Sequence, residues 1–63
     1  MTAEQFIGLG KHSARTRAEN LNLIFRLVSI DGESLLGWPD DGPRQDRVCV
    51  VLEGGRVVKA VVQ

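Results

Sequence analysis

The chain has few of the residues that stabilise very small proteins by special means. It has 63 residues, with one cysteine, two prolines, one tryptophan, two phenylalanines and no tyrosine. A lone Cys49 excludes a disulfide within the chain, so stability must come from a small apolar core or from association. In an apolar run, Cys49 is most simply a small hydrophobe in a reduced compartment. The alternative, a reactive thiol, needs a basic neighbour, for which Arg47 is the only candidate.

The chain also lacks an excess of either charge. Eight basic and eight acidic side chains give a formal net charge of zero. The basic residues are scattered, which disfavours a nucleic-acid partner. No apolar run approaches the ~20 residues of a membrane span, and the first residues lack the apolar core of a signal peptide. We therefore expect no nucleic acid, no membrane and a cytoplasmic location by default, or an exported protein whose leader has been removed.

Motifs that would indicate catalysis are missing. His12, the only histidine, has no Ser–Asp or Cys–Asp partnership in view, so a surface position is the default. There is no nucleophile elbow, phosphate loop or CxxC motif. A chain this short seldom builds a concave pocket. We expect a protein that is not an enzyme and has neither cofactor nor metal.

The pattern of apolar residues divides a single domain, 1–63, into a few short elements. Ala14, Ala18 and Leu21 form one narrow helical stripe, and residues 46–52 alternate as in a strand. Glu53-Gly54-Gly55-Arg56 is typical of a hairpin. The predicted elements are a lead-in over 1–9, from which Phe6, Ile7 and Leu9 can enter a core, a helix over 11–20, strands over 21–30, 46–52 and 56–62, and an exposed loop over 31–45.

This order predicts an α+β fold in which one short helix packs on a small mixed β-sheet. The loop over 31–45 takes about a quarter of the chain, whereas most connections in compact domains are much shorter. Two strands that run parallel cannot be joined by a tight turn, so a parallel pair on either side would account for the loop's length. A long loop held at both ends is typical of a segment presented to a partner.

At this point the sequence resembles the potato inhibitor I family of serine protease inhibitors, especially its small bacterial relatives. The resemblance covers residues 8–63, and its most specific part is Arg44-Gln45-Asp46-Arg47-Val48. The weaker matches are a Gly-Leu start, alanines four residues apart in the helix, an asparagine at its end, an arginine in the next strand and a closing Asp-Gly-Glu: Gly8-Leu9, Ala14, Ala18, Asn20, Arg26 and Asp31-Gly32-Glu33.

The resemblance implies a rigid loop that lies in a protease active site like a substrate. The scissile bond would be Asp41–Gly42, and Arg47 and Asp46 would support the loop from the following strand. Cys49 stands where plant members carry a further basic residue. The implied protease-binding loop is Trp38, Pro39, Asp40, Asp41, Gly42, Pro43 and Arg44.

Several of these residues also have simpler interpretations. Arg47 is either a brace for the loop or a solvated strand residue. Trp38 is either an exposed binding anchor or a lid over a small core. Asp40 and Asp41 form a recognition pair, a metal corner or a solvated turn, and no His or Glu at ligand spacing supports the metal.

A second function, from a different class, is a structural or interaction protein. The outer face of the predicted sheet carries Ile24, Val28 and Val51, with Val58 or Val57 nearby depending on register. An apolar face of this kind favours a homo-oligomer or a larger partner.

Overall fold

The computed structural model describes residues 3–35, 37–38, 42 and 44–63. It contains a 3₁₀ helix (Ala3–Phe6), an α-helix α1 (Lys11–Asn20) and four strands: β1 (Ile24–Ile30), β2 (Glu33–Ser34), β3 (Arg47–Glu53) and β4 (Arg56–Val62). The strands form one mixed sheet in the order β2-β1-β3-β4. β1 and β3 run parallel, whereas β2 and β4 are antiparallel to their neighbours. The predicted α+β class, with the long loop between parallel strands, is confirmed.

The conformation at the end of α1 determines where the first strand begins. Asn22 adopts a left-handed conformation with φ of 59°. The Leu23 N–H donates to Ala18 O (2.8 Å), and the Asn22 N–H donates to Glu19 O (3.1 Å). These two bonds form a Schellman motif, which satisfies the last carbonyls of α1. Residues 21–23 therefore belong to the helix end, and β1 starts at Ile24 rather than at the predicted Leu21.

The core lies between one face of the sheet and the helix. The alanines of α1 allow close approach to the sheet, as the stripe predicted. The buried members of this core cluster are Phe6, Ala14, Ala18, Leu23, Val48, Val50, Leu52 and Val57. Because Val57 belongs to the core and Val58 is 48% exposed, the register is settled in favour of Val58 as the surface residue.

The amino-terminal segment is an integral part of this core. Phe6 is fully buried and Leu9 packs against the cluster, whereas Ile7, which we also expected to enter the core, is 47% exposed. The Gly8 N–H donates to Val57 O, and the Val57 N–H donates to Leu9 O, both at 2.8 Å. The described part of the predicted lead-in, residues 3–9, is therefore a short 3₁₀ helix followed by a turn that hydrogen-bonds to the start of β4.

Asp31 joins the end of β1 to the β3–β4 hairpin. It has φ of 51°, its N–H donates to Leu52 O (2.8 Å), and its Oδ1 accepts the Gly54 N–H (2.8 Å). Aspartate and asparagine tolerate this left-handed conformation better than other residues with a side chain. Asp31 thus has an unfavourable backbone conformation, and its side chain connects the turn after β1 to the turn between β3 and β4.

We expect Asp31→Ala to lower the free energy of unfolding by about 1–2 kcal/mol, because it loses an acceptor and the tolerance of positive φ. Asp31→Asn keeps both and should stay within about 0.5 kcal/mol of the parent protein. Urea unfolding followed by circular dichroism measures the difference. Equal stability of the two variants would contradict this role of the side chain.

In the part of the chain that the structure describes, no helix combines the length and the apolar character needed to cross a bilayer.

Candidate functional site

The structure describes part of the predicted protease-binding loop. Trp38, Gly42 and Arg44 are described, and so are the predicted supports Asp46 and Arg47. Pro39, Asp40, Asp41 and Pro43 lie outside the described residues. Of the predicted scissile bond, only the Gly42 side is therefore described.

The loop begins with a short hairpin that the sequence did not predict. Within the predicted loop, Glu33–Ser34 forms β2, and Ile30 pairs with Glu33 across the turn. The Leu35 N–H then donates to Val28 O (2.9 Å). The entry to the loop is thereby fixed along the edge of β1.

Two side chains from the outer face of the sheet hold the next part of the loop. The outer face is the face opposite α1. The Arg26 Nε–H of β1 donates to Gly37 O (3.1 Å), and the Lys59 ammonium of β4 lies 5.1 Å from the centroid of the Trp38 ring. A cation over an indole face is attracted by the ring's quadrupole. The consecutive residues Gly37 and Trp38 thus contact side chains of the two strands that flank β3.

Two residues outside the core cluster are also buried. Cys49 is 0% exposed and Val28 is 3% exposed, yet neither belongs to the cluster under α1. The Cys49 Sγ lies 3.6 Å from Gln63 O. Full burial favours the interpretation of Cys49 as a small hydrophobe over that of an accessible thiol. Trp38 is 41% exposed, so it contacts Lys59 and still offers surface to a partner.

At the exit of the loop, Arg44 and Asp46 form a bidentate ion pair. The Arg44 Nε–H donates to Asp46 Oδ1 (2.8 Å), and its Nη2 donates to Oδ2 (2.7 Å). The hydrogen bond from Arg44 is the main cause that lowers the pKa of Asp46 below its ordinary value of 3.8. Arg44 therefore stabilises the ionised carboxylate. Both residues of this ion pair therefore lie within the 44–48 motif on which the family resemblance depends.

We expect Arg44→Gln to raise the pKa of Asp46, because the charged donor is lost. A carboxyl whose folded pKa is lowered adds stability above its unfolded pKa, and this addition is lost as the pH falls through the folded pKa. Carbon-detected NMR titration of the Asp46 carboxyl measures the change. Arg17→Gln, on the exposed side of α1, is the control and should leave the titration unchanged; an unchanged Asp46 in the Arg44 variant would refute the coupling.

Arg47 is a buried residue, which rules out the interpretation as a solvated strand side chain. It is 6% exposed. Its Nε–H donates to Gln63 O (2.8 Å), and its own carbonyl accepts the Gln63 N–H (3.1 Å). Arg47 thus ties the start of β3 to the residue that follows β4. That contact could not be expected from the motif alone, since Gln63 lies sixteen positions away.

Gly42 is exposed and has φ of +91°, and a β-carbon added there would meet nothing within 4 Å. An extended, substrate-like backbone has negative φ. Gly42 is therefore not extended in this structure.

The alternative function depends on the apolar outer face of the sheet, and that face is only partly exposed to solvent. Val28 is buried and Val51 is half-buried, while Ile24 is 51% exposed. The surface available for association on this face is therefore smaller than the sequence suggested.

No family model, curated protein or solved structure matches this chain. Within the described ranges, no group of three or more His, Cys, Asp and Glu side chains could hold a metal ion. Asp40 and Asp41, the proposed metal corner, are outside those ranges. His12 is exposed on α1.

Arg26 and Lys59 are the functional candidates that sequence reasoning missed. The alternation of β1 places Arg26 on the outer face, so its direction could have been read from the sequence. The identity of its partner could not, because Gly37 reaches Arg26 only through the path of the loop.

Proposed function

We propose that this chain is a protein-binding module that presents the loop from Trp38 to Arg44 to a serine protease. The observation that carries the proposal is that the loop is fastened at both ends. Gly37 and Trp38 are held by Arg26 and Lys59, and Arg44 is paired with Asp46 at the exit. These contacts attach the described residues on either side of residues 39–43.

Fastening of this kind favours binding through preorganisation. A loop that is already restricted in the free protein loses less conformational entropy when it binds, so more of the contact energy appears as affinity. Arg–carboxylate pairs are among the stronger hydrogen-bonded contacts available for this purpose. Arg47, buried behind the loop exit, completes the support in this proposal.

The resemblance of residues 44–48 to the potato inhibitor I motif supports a serine protease as the partner. It places Asp41 before the bond that the protease would attack. An enzyme that prefers acidic residues at that position is therefore the best-matched target.

A panel of serine proteases tests the proposal, and it should include an acidic-specific enzyme and a subtilisin-like enzyme. The expected result is inhibition that competes with a peptide substrate while mass spectrometry shows the loop intact for the duration of the assay. Arg26→Met should weaken the inhibition and speed cleavage, whereas Arg17→Met should change neither. Absence of inhibition across the panel, or rapid cleavage within residues 38–44, would end the inhibitor proposal.

The conformation of Gly42 gives a further prediction. If the bound loop is extended, Gly42→Ala should tighten inhibition about two- to fivefold, because alanine disfavours the positive φ of the free loop and reduces its freedom. The inhibition constant for the enzyme found in the panel measures this. Gly37→Ala is the matched control: Gly37 also has positive φ, at 71°, but Arg26 holds its carbonyl there, so this change should weaken inhibition. Equal weakening by both would contradict an extended bound loop.

The second proposal, self-association through the outer face, is supported by the exposure of Ile24. Size-exclusion chromatography with light scattering tests it. A dimer that Ile24→Lys converts to a monomer would support it, and a monomer at high micromolar concentration would count against it.

A further inference from the structure

A groove runs between α1 and the free side of β1, on the helix side of the sheet. Its volume is about 410 Å³. The helix contributes three charged side chains at four-residue spacing, and the strand side contributes three apolar side chains at two-residue spacing. These lining residues are Lys11, Arg15, Glu19, Leu23, Phe25 and Leu27.

Part of the backbone of the strand that borders this groove is directed away from β3. The Ile24 N–H donates to Asp46 O (2.7 Å), toward β3. In a parallel pair the residues alternate, so Phe25 and Leu27 direct their backbone N–H and C=O groups away from β3. β2 pairs with this edge at Ser29 and Ile30, and the Leu35 N–H that follows it donates to Val28 O (2.9 Å). Among the described residues, none donates to or accepts from these groups of Phe25 and Leu27.

The two walls of the groove match in length. Lys11 and Glu19 are eight residues apart on a helix, which corresponds to about 12 Å. Leu23 and Leu27 are four residues apart in extended chain, which corresponds to about 13 Å. A strand of about five residues therefore fits, with three side chains directed into the groove.

The charged side chains of α1 that line the groove favour some sequences of the bound strand over others. Arg15 and Glu19 already form an ion pair (3.6 Å), with both side chains about two-thirds exposed. No described acidic side chain pairs with Lys11, which lines the groove at the start of α1. The wall thus carries one excess positive charge, which favours a carboxylate at that end.

We propose that this groove binds an extended segment of a partner protein, which adds to the edge of β1 as a further strand. Two of its side chains, at alternate positions, are apolar and pack on Leu23 and Phe25. The third is acidic and reaches Lys11. Main-chain bonds supply affinity and the alternate side chains supply specificity, as in other cases of strand addition. This site is separate from Gly37 and Trp38, which contact side chains of the opposite face of the sheet.

The test is an NMR titration of the labelled protein with acetyl-Val-Thr-Val-Thr-Glu-amide and with the same five residues in reverse order. We expect one of them to bind at about 0.1–1 mM, as befits a short peptide. The amide signals of Phe25 and Leu27 should move, and those of residues 37, 38 and 44 should not. Absence of shifts along β1 with both peptides at several millimolar would overturn the proposal.

Two matched comparisons separate strand addition from loose hydrophobic contact. In an added strand, every second amide N–H of the peptide is directed toward β1. N-methylation of those amides should abolish binding, and N-methylation of the others should be tolerated. Equal effects would refute strand addition. Lys11→Glu should weaken binding about fivefold, and Arg17→Glu, the same charge change on another side of α1, should not. Equal affinity of the two variants would refute the charge argument.

A second copy of this chain is the competing occupant. If it fills the groove, the Phe25 and Leu27 signals of the free protein should shift with protein concentration alone. That result would overturn the assignment to a partner segment, and concentration-independent signals would support it.

Discussion

Phe6→Ala should leave the protein largely unfolded at 25 °C. The side chain is completely buried in the core cluster between α1 and the sheet. Removing a buried phenylalanine ring typically costs about 3–5 kcal/mol, since both the transfer energy and the packing around the ring are lost. A core in a domain of this size rarely supplies more than about 3–5 kcal/mol in total. The loss is therefore comparable to the whole stability.

The measurement is urea and thermal unfolding followed by circular dichroism. Ile7→Ala is the matched control, because the neighbouring side chain is 47% exposed and its removal should change stability by less than about 0.5 kcal/mol. Phe6→Leu should lie between the two. If Phe6→Ala were as stable as Ile7→Ala, the amino-terminal segment would not be part of the cooperative fold.

Arg47→Met is expected to have the second largest effect. The change keeps an apolar stem in the buried site but removes the charged donor to Gln63 O (2.8 Å). A hydrogen bond from a charged group contributes about 1.5–3 kcal/mol, and the carbonyl that remains would be poorly satisfied. We expect a loss of about 1–3 kcal/mol, with faster hydrogen exchange at the carboxyl end of β4.

Arg17→Met provides the control, because it removes the same charge from the exposed side of α1. Arg47→Lys keeps the charge and loses the forked geometry, so its stability should fall between those of Arg47→Met and the parent. Unchanged stability of Arg47→Met would show that the buried guanidinium adds nothing to the fold. Limited proteolysis of the loop in the same variants tests the separate proposal that Arg47 also supports residues 38–44.

Much of the architecture follows from local patterns. The alternation at Val48, Val50 and Leu52 predicted a strand with one buried face, and the two glycines after Glu53 predicted the hairpin. The paired alanines predicted the helix Lys11–Asn20 and its close packing. These features depend on periodicity, which the sequence displays directly.

The errors arose where local pattern competed with turn chemistry or distant contacts. Leu21 and Leu23 continued the alternation of β1, but the left-handed Asn22 assigned them to the end of α1. Phe6, Ile7 and Leu9 could all enter the core, but without a sustained period the sequence did not show that Phe6 would be buried and Ile7 exposed. The sequence indicated the extent of the loop. The contacts of Arg26 with Gly37 and of Lys59 with Trp38 depend on the three-dimensional path of the loop, which the sequence does not show.

The parallel pairing of β1 with β3 also has a consequence for the kinetics of folding. Ile24 meets Arg47, and Ile30 meets Leu52, only after the whole loop between them has closed. Non-local pairings of this kind slow folding, because loop-closure entropy is lost before the contacts form. Since that entropy grows only with the logarithm of length, doubling the loop should add about 0.6 kcal/mol. The central strand pair, rather than α1 or the β3–β4 hairpin, is therefore expected to form in the rate-limiting step.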